Sequence, residues 1–269
     1  CLFTLWLSAG LPDWHFSGIL SLSVIFFGYI LVMQQAIRIA ILDCVPETYW
    51  GDDPGHTDSQ KFVDLLQPFN EKASFDIYYA TQNQFPGDLD AFDAMLVTGS
   101  PCSVHDQQDW IKRLMDLIRQ ADAAGKRIIA SCFGHQLVAK TFGGEVGFNE
   151  HGWMIGNYPI SIETDYPWMQ PVAAQTGLYH FNQERVTRLP ASATAFAQCE
   201  AYADFAYTLG DNILCFQGHP EQPLRAMRNF LKATPGLGDE TVASAEKQIE
   251  AGQPDAATWG EWMMRFYLG

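Results

Sequence analysis

Ala36 to Asp43 reads AIRIAILD, an apolar, β-branched run of strand length that is too continuous for a sheet with one face in water. It predicts a strand covered on both faces, which in turn points to a parallel sheet between helices. The following residues keep that alternation. Thr57 to Phe69 predicts a helix carrying Phe62, Leu65 and Leu66; Ser74 to Tyr79 predicts a second strand; Asp93 to Val97 predicts a third, stopped by the turn residues Thr98-Gly99-Ser100-Pro101. From Asp106 onward Trp110, Ile111, Leu114, Met115, Leu117, Ile118 and Ala121 recur at helical spacing, and Gly125 closes the helix. Arg127 to Ser131 is the next strand and Gly134 to Phe142 the next helix. Strand and helix in regular succession predict an α/β fold, doubly wound, with a mostly parallel sheet sandwiched by helices.

Glu145 to Leu209 has shorter runs (PISIE, GLYHF, ATAFAQ, FAYTL), expected as antiparallel additions and loops over the ends of the sheet. Ile213 to Gln217 returns to a buried strand, followed by a helix from Leu224 to Lys232. After Pro235-Gly236, the helices Asp239 to Ala251 and Asp255 to Leu268 are expected as an added hairpin. The expected organisation is an apolar N-terminal extension (1–32), one main domain (33–235) and a helical C-terminal extension (236–269).

Charge and cysteine usage exclude several classes. Sixteen Lys and Arg against 31 Asp and Glu give a net charge of −15, which repels a phosphate backbone, so nucleic-acid binding is not expected. Cys1, Cys44, Cys102, Cys132, Cys199 and Cys215 lack metal-site spacing, and no N-x-S/T sequon occurs, so the expectation is reduced thiols in a cytoplasmic protein without a metal. Phe16 to Met33 is uncharged over 18 residues, the length at which a membrane span must be weighed. No Lys or Arg precedes Arg38, and Ser and Gly dilute the run, so the preferred expectation is an extension upstream of a true start at Met33, with no membrane association. A membrane anchor or signal, and an extra packed helix, are the alternatives.

The chemistry gathers at two places. In Ile128-Ile129-Ala130-Ser131-Cys132-Phe133-Gly134-His135-Gln136 a buried strand runs straight into a helix, with small residues two positions either side of a cysteine. That is the pattern of a nucleophile elbow, in which a strained turn lifts one side chain above the sheet. The orphan N–H groups and dipole of the following helix favour a thiolate there. For a cysteine taken alone, core packing is the commoner role. Gly218-His219-Pro220-Glu221 ends another core strand, and a cysteine nucleophile needs both a base and a group to orient the base. His219 and Glu221, two positions apart in extended chain, leave on the same side. By itself, H-x-E would read as a solvated loop pair.

With these segments in order, residues 36 to 232 resemble the class I, triad-type glutamine amidotransferases. SCFGHQ is similar to the family's nucleophile motif, TGSP at 98–101 to its oxyanion loop and QGHPE at 217–221 to its His/Glu motif. SVHD after the oxyanion loop and GGEVGFNEHGWMIG after the elbow helix resemble the standalone subgroup akin to the glutaminase domain of GMP synthase. The resemblance implies a flavodoxin-like fold with Cys132 as nucleophile, His219 as base and then acid, and Glu221 as orienting carboxylate. It implies an oxyanion hole from the N–H groups of Ser100 and Phe133, and substrate contacts at Gly99, Gln136, His180 and Gln183. The expected reaction is hydrolysis of glutamine through a γ-glutamyl thioester, without a cofactor, on a small-molecule substrate and with a separate synthetase subunit as ammonia acceptor.

Two departures stand out: Ala130 and Ser100 where many members have Gly. Both are small, and Ser100 would act through its backbone. His135, on the elbow helix, is expected to cap or pack rather than act as a base. These 269 residues contain no G-x-x-x-x-G-K-[ST] loop and nothing similar to the pyrophosphatase loop of GMP synthase. A γ-glutamyl peptidase with the same triad, and an idle binding or regulatory module, are the competing readings.

Overall fold

The computed structural model describes residues 35–49 and 57–269, so the apolar run 16–33 lies outside the described residues. In chain order the strands are β1 (Ile37–Asp43), β2 (Ala73–Tyr79), β3 (Ala94–Val97), β4 (Arg127–Ser131), β5 (Glu145–Phe148), β6 (Met154–Ile162), β7 (Gln175–Asn182), β8 (Glu184–Arg188), β9 (Ala193–Cys199), β10 (Tyr202–Leu209) and β11 (Ile213–Phe216). The helices are α1 (Asp58–Leu66), α2 (Asp109–Ala123), α3 (Phe133–Thr141), α4 (Leu224–Ala233), α5 (Asp239–Ile249) and α6 (Ala256–Leu268).

A nine-stranded sheet runs β2-β1-β3-β4-β11-β10-β9-β6-β7. Its first five strands are parallel, in the order of a doubly wound fold. β1 shows why its sequence lacks alternation. Ile37, Ile39 and Ile41 enter the core under α1 and α6, while Ala40 and Leu42 enter the opposite core under α2 and α3. Each fully buried aliphatic side chain of this kind contributes about 1.5–3 kcal/mol of hydrophobic stabilisation. Thr57 caps α1 by accepting from the Gln60 N–H at 3.3 Å, and Gly125, at φ +67°, ends the turn after α2.

The middle of the chain departs from expectation in one respect. Its antiparallel strands are additions, as expected, and widen the sheet along one edge, β11 pairing with β10, β10 with β9, β9 with β6 and β6 with β7, rather than covering its ends. β5 and β8, short and rich in Gly, Glu and Arg, form a separate two-stranded ribbon that periodicity does not signal.

The expected C-terminal hairpin is also corrected, because the two helices pack in different places. α5 lies on β6 and α4, placing Ala245 and Ile249 with Ile155 and Tyr179. α6 covers the parallel half of the sheet beside α1, with Trp259 and Trp262 fully buried. Trp259 Nε1 donates to Thr176 Oγ1 at 3.1 Å and the Tyr267 hydroxyl to the Met95 carbonyl at 3.1 Å, so the helix is hydrogen-bonded as well as packed. Among the described residues no helix is long and apolar enough to cross a membrane.

Candidate active site

Three loops leave the carboxyl ends of neighbouring parallel strands: 98–101 after β3, Cys132 after β4 and 217–221 after β11. This is where open α/β sheets place their ligands. Cys132 stands between β4 and α3 with φ 49° and ψ −104°, a left-handed conformation that is strained for a residue with a Cβ. Two hydrogen bonds hold it, from Cys132 N to the Phe216 carbonyl at 3.0 Å and from Gln136 N to the Cys132 carbonyl at 3.0 Å. Gly134 is required by close approach: a Cβ there would lie 2.7 Å from the Val97 carbonyl oxygen. Ala130, on the other side of the elbow, is fully buried.

His219 is delivered by the neighbouring strand end. Ser131 Oγ donates to the Gly218 carbonyl at 2.9 Å, and His219 N donates to the Tyr179 carbonyl on β7 at 2.8 Å, fixing the loop from both sides. The imidazole Nδ1–H donates to Glu221 Oε1 at 2.8 Å, with both side chains buried. Gly99 lets the imidazole close on the nucleophile, since a Cβ at Gly99 would lie 2.9 Å from His219 Cε1 and 3.5 Å from Cys132 Cβ. Burial by itself disfavours a charged His219, but the charges of Cys132 and Glu221 outweigh it and hold the imidazole well above the ordinary histidine range. The arrangement sets beside the cysteine sulfur an imidazole whose surroundings favour its protonated form.

Behind Glu221 lies a polar network that sequence reasoning missed. Gln222 Nε2 donates to Glu221 Oε1 at 3.1 Å and to Asp58 Oδ1 at 2.9 Å, and Lys61 Nζ donates to Asp58 Oδ1 at 2.7 Å and Gln222 Oε1 at 3.0 Å. The Asp58–Lys61 spacing is visible in the sequence as a helical i,i+3 pair, but nothing local ties it to residue 222. Ser103, whose hydroxyl donates to both Glu184 carboxylate oxygens at 3.0 and 2.9 Å, joins the loop after β3 to β8 in the same unannounced way.

The remaining expected site residues fall as follows. Phe133 opens α3 at the N1 position, where the helix itself offers its N–H no acceptor, and its ring packs on Trp110 at 5.5 Å. Ser100 Oγ accepts from Cys102 N at 3.1 Å, shaping the loop. Gln136, one turn after Cys132, donates Nε2 to the Glu184 carbonyl at 2.8 Å and to Gln217 Oε1 at 3.0 Å. Gln183 sits at the β7–β8 turn, its carbonyl accepting from Asn149 N at 2.7 Å. His180 is fully buried, with Nδ1 3.2 Å from the Tyr202 hydroxyl; burial and the nearby His219 charge push it down to about 3. His135 is likewise neutral, pushed down to about 3 by burial and packed on Tyr207 at 4.9 Å, as its place on the elbow helix leads one to expect. Among the described residues no three His, Cys, Asp or Glu side chains gather to hold a metal.

The family model described as glutamine amidotransferase class-I matches residues 69–233. Gamma-glutamyl peptidase 3 of Arabidopsis thaliana is 27% identical over 89% of this chain and 100% of its own length. Gamma-glutamyl peptidase 4 of the same plant is 33% identical over 60% of this chain and 66% of its own. Among solved structures, a glutamine amidotransferase from Methylobacillus flagellatus superposes with a TM-score of 0.67 at 21% identity, covering 87% of this chain and 93% of its own, a likeness of fold.

Proposed function

The chain belongs to the class I glutamine amidotransferase family, and from that premise we propose that it hydrolyses γ-glutamyl amides through a thioester on Cys132, with γ-glutamyl peptides as its substrate class. The observation that carries the reading is the strained Cys132 facing an imidazole that is itself held by Glu221 at 2.8 Å. With the Cys132 thiol proton taken up by His219, Sγ attacks the γ-carbonyl carbon and the carbonyl π electron pair moves onto oxygen. The Ser100 and Phe133 N–H groups hold that oxyanion, each such donor lowering the barrier by about 3–4 kcal/mol. When the C–N bond breaks, His219 gives its proton to the departing nitrogen. Water then attacks the thioester as His219 takes its proton; the C–S bond breaks, glutamate leaves, and His219 returns the proton to Sγ, restoring the thiol.

The two plant peptidases favour a γ-glutamyl peptide as the amide. The family match favours a second reading, in which the amide is that of glutamine and the ammonia passes to a separate synthetase. Cytoplasmic placement belongs to the same proposal, since the chemistry needs a free thiol at Cys132. Glutamate release by purified protein, measured on glutamine and on a γ-glutamyl dipeptide, decides between substrates. The dipeptide is expected to be the faster, and both activities should vanish in Cys132→Ala. Retained activity in that variant would defeat the mechanism; turnover of glutamine alone would establish the second reading. If neither substrate turns over and the diazo-ketone analogue of glutamine leaves Cys132 unlabelled, both readings fail.

A further inference from the structure

Arg185, the second residue of β8, carries a guanidinium that the protein leaves half used. Its Nη1 donates to the Val186 carbonyl at 3.1 Å, its Nε is buried without an acceptor, and its central carbon lies 5.7 Å from the Tyr202 ring centroid. Arg38, Arg119, Arg188, Arg228 and Arg265 each hold a carboxylate; among the described residues Arg185 does not, nor do Arg113 and Arg127, which donate to the Asn83 and Phe266 carbonyls. Asp204 feels its charge without coming within ion-pair distance. What sets Arg185 apart among the arginines of the described residues is its Nε, a buried donor left without an acceptor.

Its surroundings lead to the nucleophile by two routes. Through the chain, the Glu184 carbonyl accepts from Gln136 Nε2 at 2.8 Å and from Asn182 Nδ2 at 3.1 Å, and Gln136 is one turn from Cys132. Through space, the Tyr202 hydroxyl meets His180 at 3.2 Å, and His180 follows Tyr179, whose carbonyl holds the His219 N–H at 2.8 Å beside Cys132. Two more buried polar atoms on the first route, Asn182 Oδ1 and Gln217 Nε2, also lack partners. With Nη1 committed to Val186, the edge that remains is Nε with Nη2, the fork that grips a carboxylate by two parallel hydrogen bonds.

We propose that Arg185 recognises a carboxylate of the substrate and so sets its selectivity, an inference that rests on the γ-glutamyl amide reading above. A γ-glutamyl peptide offers two such groups, the α-carboxylate of the glutamyl unit and the carboxylate of the departing amino acid. Steady-state kinetics of wild type, Arg185→Met and Arg185→Lys on glutamine, γ-glutamylglycine and γ-glutamylglycinamide separate them. Arg185→Met is expected to raise KM about tenfold while kcat changes little, and Arg185→Lys, which keeps the charge without the fork, to recover only part of it. A rise on all three substrates assigns the α-carboxylate; a rise on γ-glutamylglycine alone assigns the departing one. Unchanged KM on every substrate in Arg185→Met, with its thermal melting intact, overturns the proposal. If that variant does not fold, unchanged KM in Arg185→Lys overturns it instead. Calorimetric binding of γ-glutamylglycine to Cys132→Ala, with and without Arg185→Lys, keeps the test independent of turnover. Equal affinity refutes the role of Arg185, whereas an inactive wild type that still shows the affinity difference refutes only the hydrolytic reading.

Discussion

Gln222 donates its side-chain amide to Asp58 at 2.9 Å, joining α1 to the loop that bears the catalytic-type histidine across 164 positions of sequence. The same nitrogen reaches Glu221 Oε1, so the carboxylate that orients His219 is itself anchored to the outer helix. Replacing Gln222 by Leu leaves the Asp58–Lys61 pair intact but removes that anchor. The expected cost is about 1–2 kcal/mol of stability, with a fall in kcat of about three- to tenfold and little change in KM. Urea unfolding and steady-state kinetics check it; a variant with wild-type kcat would show that Glu221 needs no support from α1.

Two glycines near the nucleophile should respond differently to the same added methyl. At Gly134 the methyl meets the backbone carbonyl of Val97, which cannot turn away, so Gly134→Ala should destabilise the fold by about 1–3 kcal/mol. At Gly99 it meets the end of the His219 side chain, which can move, so Gly99→Ala should keep most of its stability and lose activity by about a hundredfold or more as the imidazole is pushed off the nucleophile. Melting temperatures beside glutamate-release rates for the two variants provide the comparison. Equal losses of stability would contradict it.

The elbow strain makes a third prediction. Alanine at position 132 keeps the Cβ that the positive φ penalises, whereas glycine relieves it. Cys132→Gly should therefore be more stable than Cys132→Ala by about 1 kcal/mol, although glycine normally costs stability. Denaturant midpoints of the two inactive proteins decide; an alanine variant equal to or more stable than glycine would mean the elbow stores no strain.

The fourth concerns pH. His219 is held above the ordinary histidine range, so its imidazolium persists past pH 6.5 and is lost only as pH rises through the raised value. The stability that the charged form contributes is complete below 6.5 and disappears on that alkaline side. In the proposed mechanism protonated His219 supplies the departing nitrogen, so kcat/KM is expected to fall on the same limb. Glu221→Gln removes one of the two charges that sustain the shift and should move the limb to lower pH, readable in a pH–rate profile. An unmoved limb would separate Glu221 from the titration.

How far the sequence reached depends on the range of the interaction concerned. AIRIAILD announces a strand buried on both faces because each of its residues must find an apolar environment wherever the chain goes. SCFGHQ announces the elbow because its small neighbours answer a local steric demand. Thus the parallel half of the sheet, Cys132, and the pairing of His219 with Glu221 were legible from residues close together in the chain. The course of the antiparallel half was not, since β5 and β8 find their partner in each other and the β9–β6 pairing joins strands with others between them. Nor was the placement of α5 and α6 against different surfaces, because an amphipathic helix records that it buries a face and not which surface receives it. The support of Glu221 by Asp58 and Lys61, and the unmatched guanidinium of Arg185 over Tyr202, came only with the tertiary structure. Polar partners leave no periodic trace in a sequence; they are chosen when distant backbone segments meet and each buried donor must find an acceptor or keep a place for one.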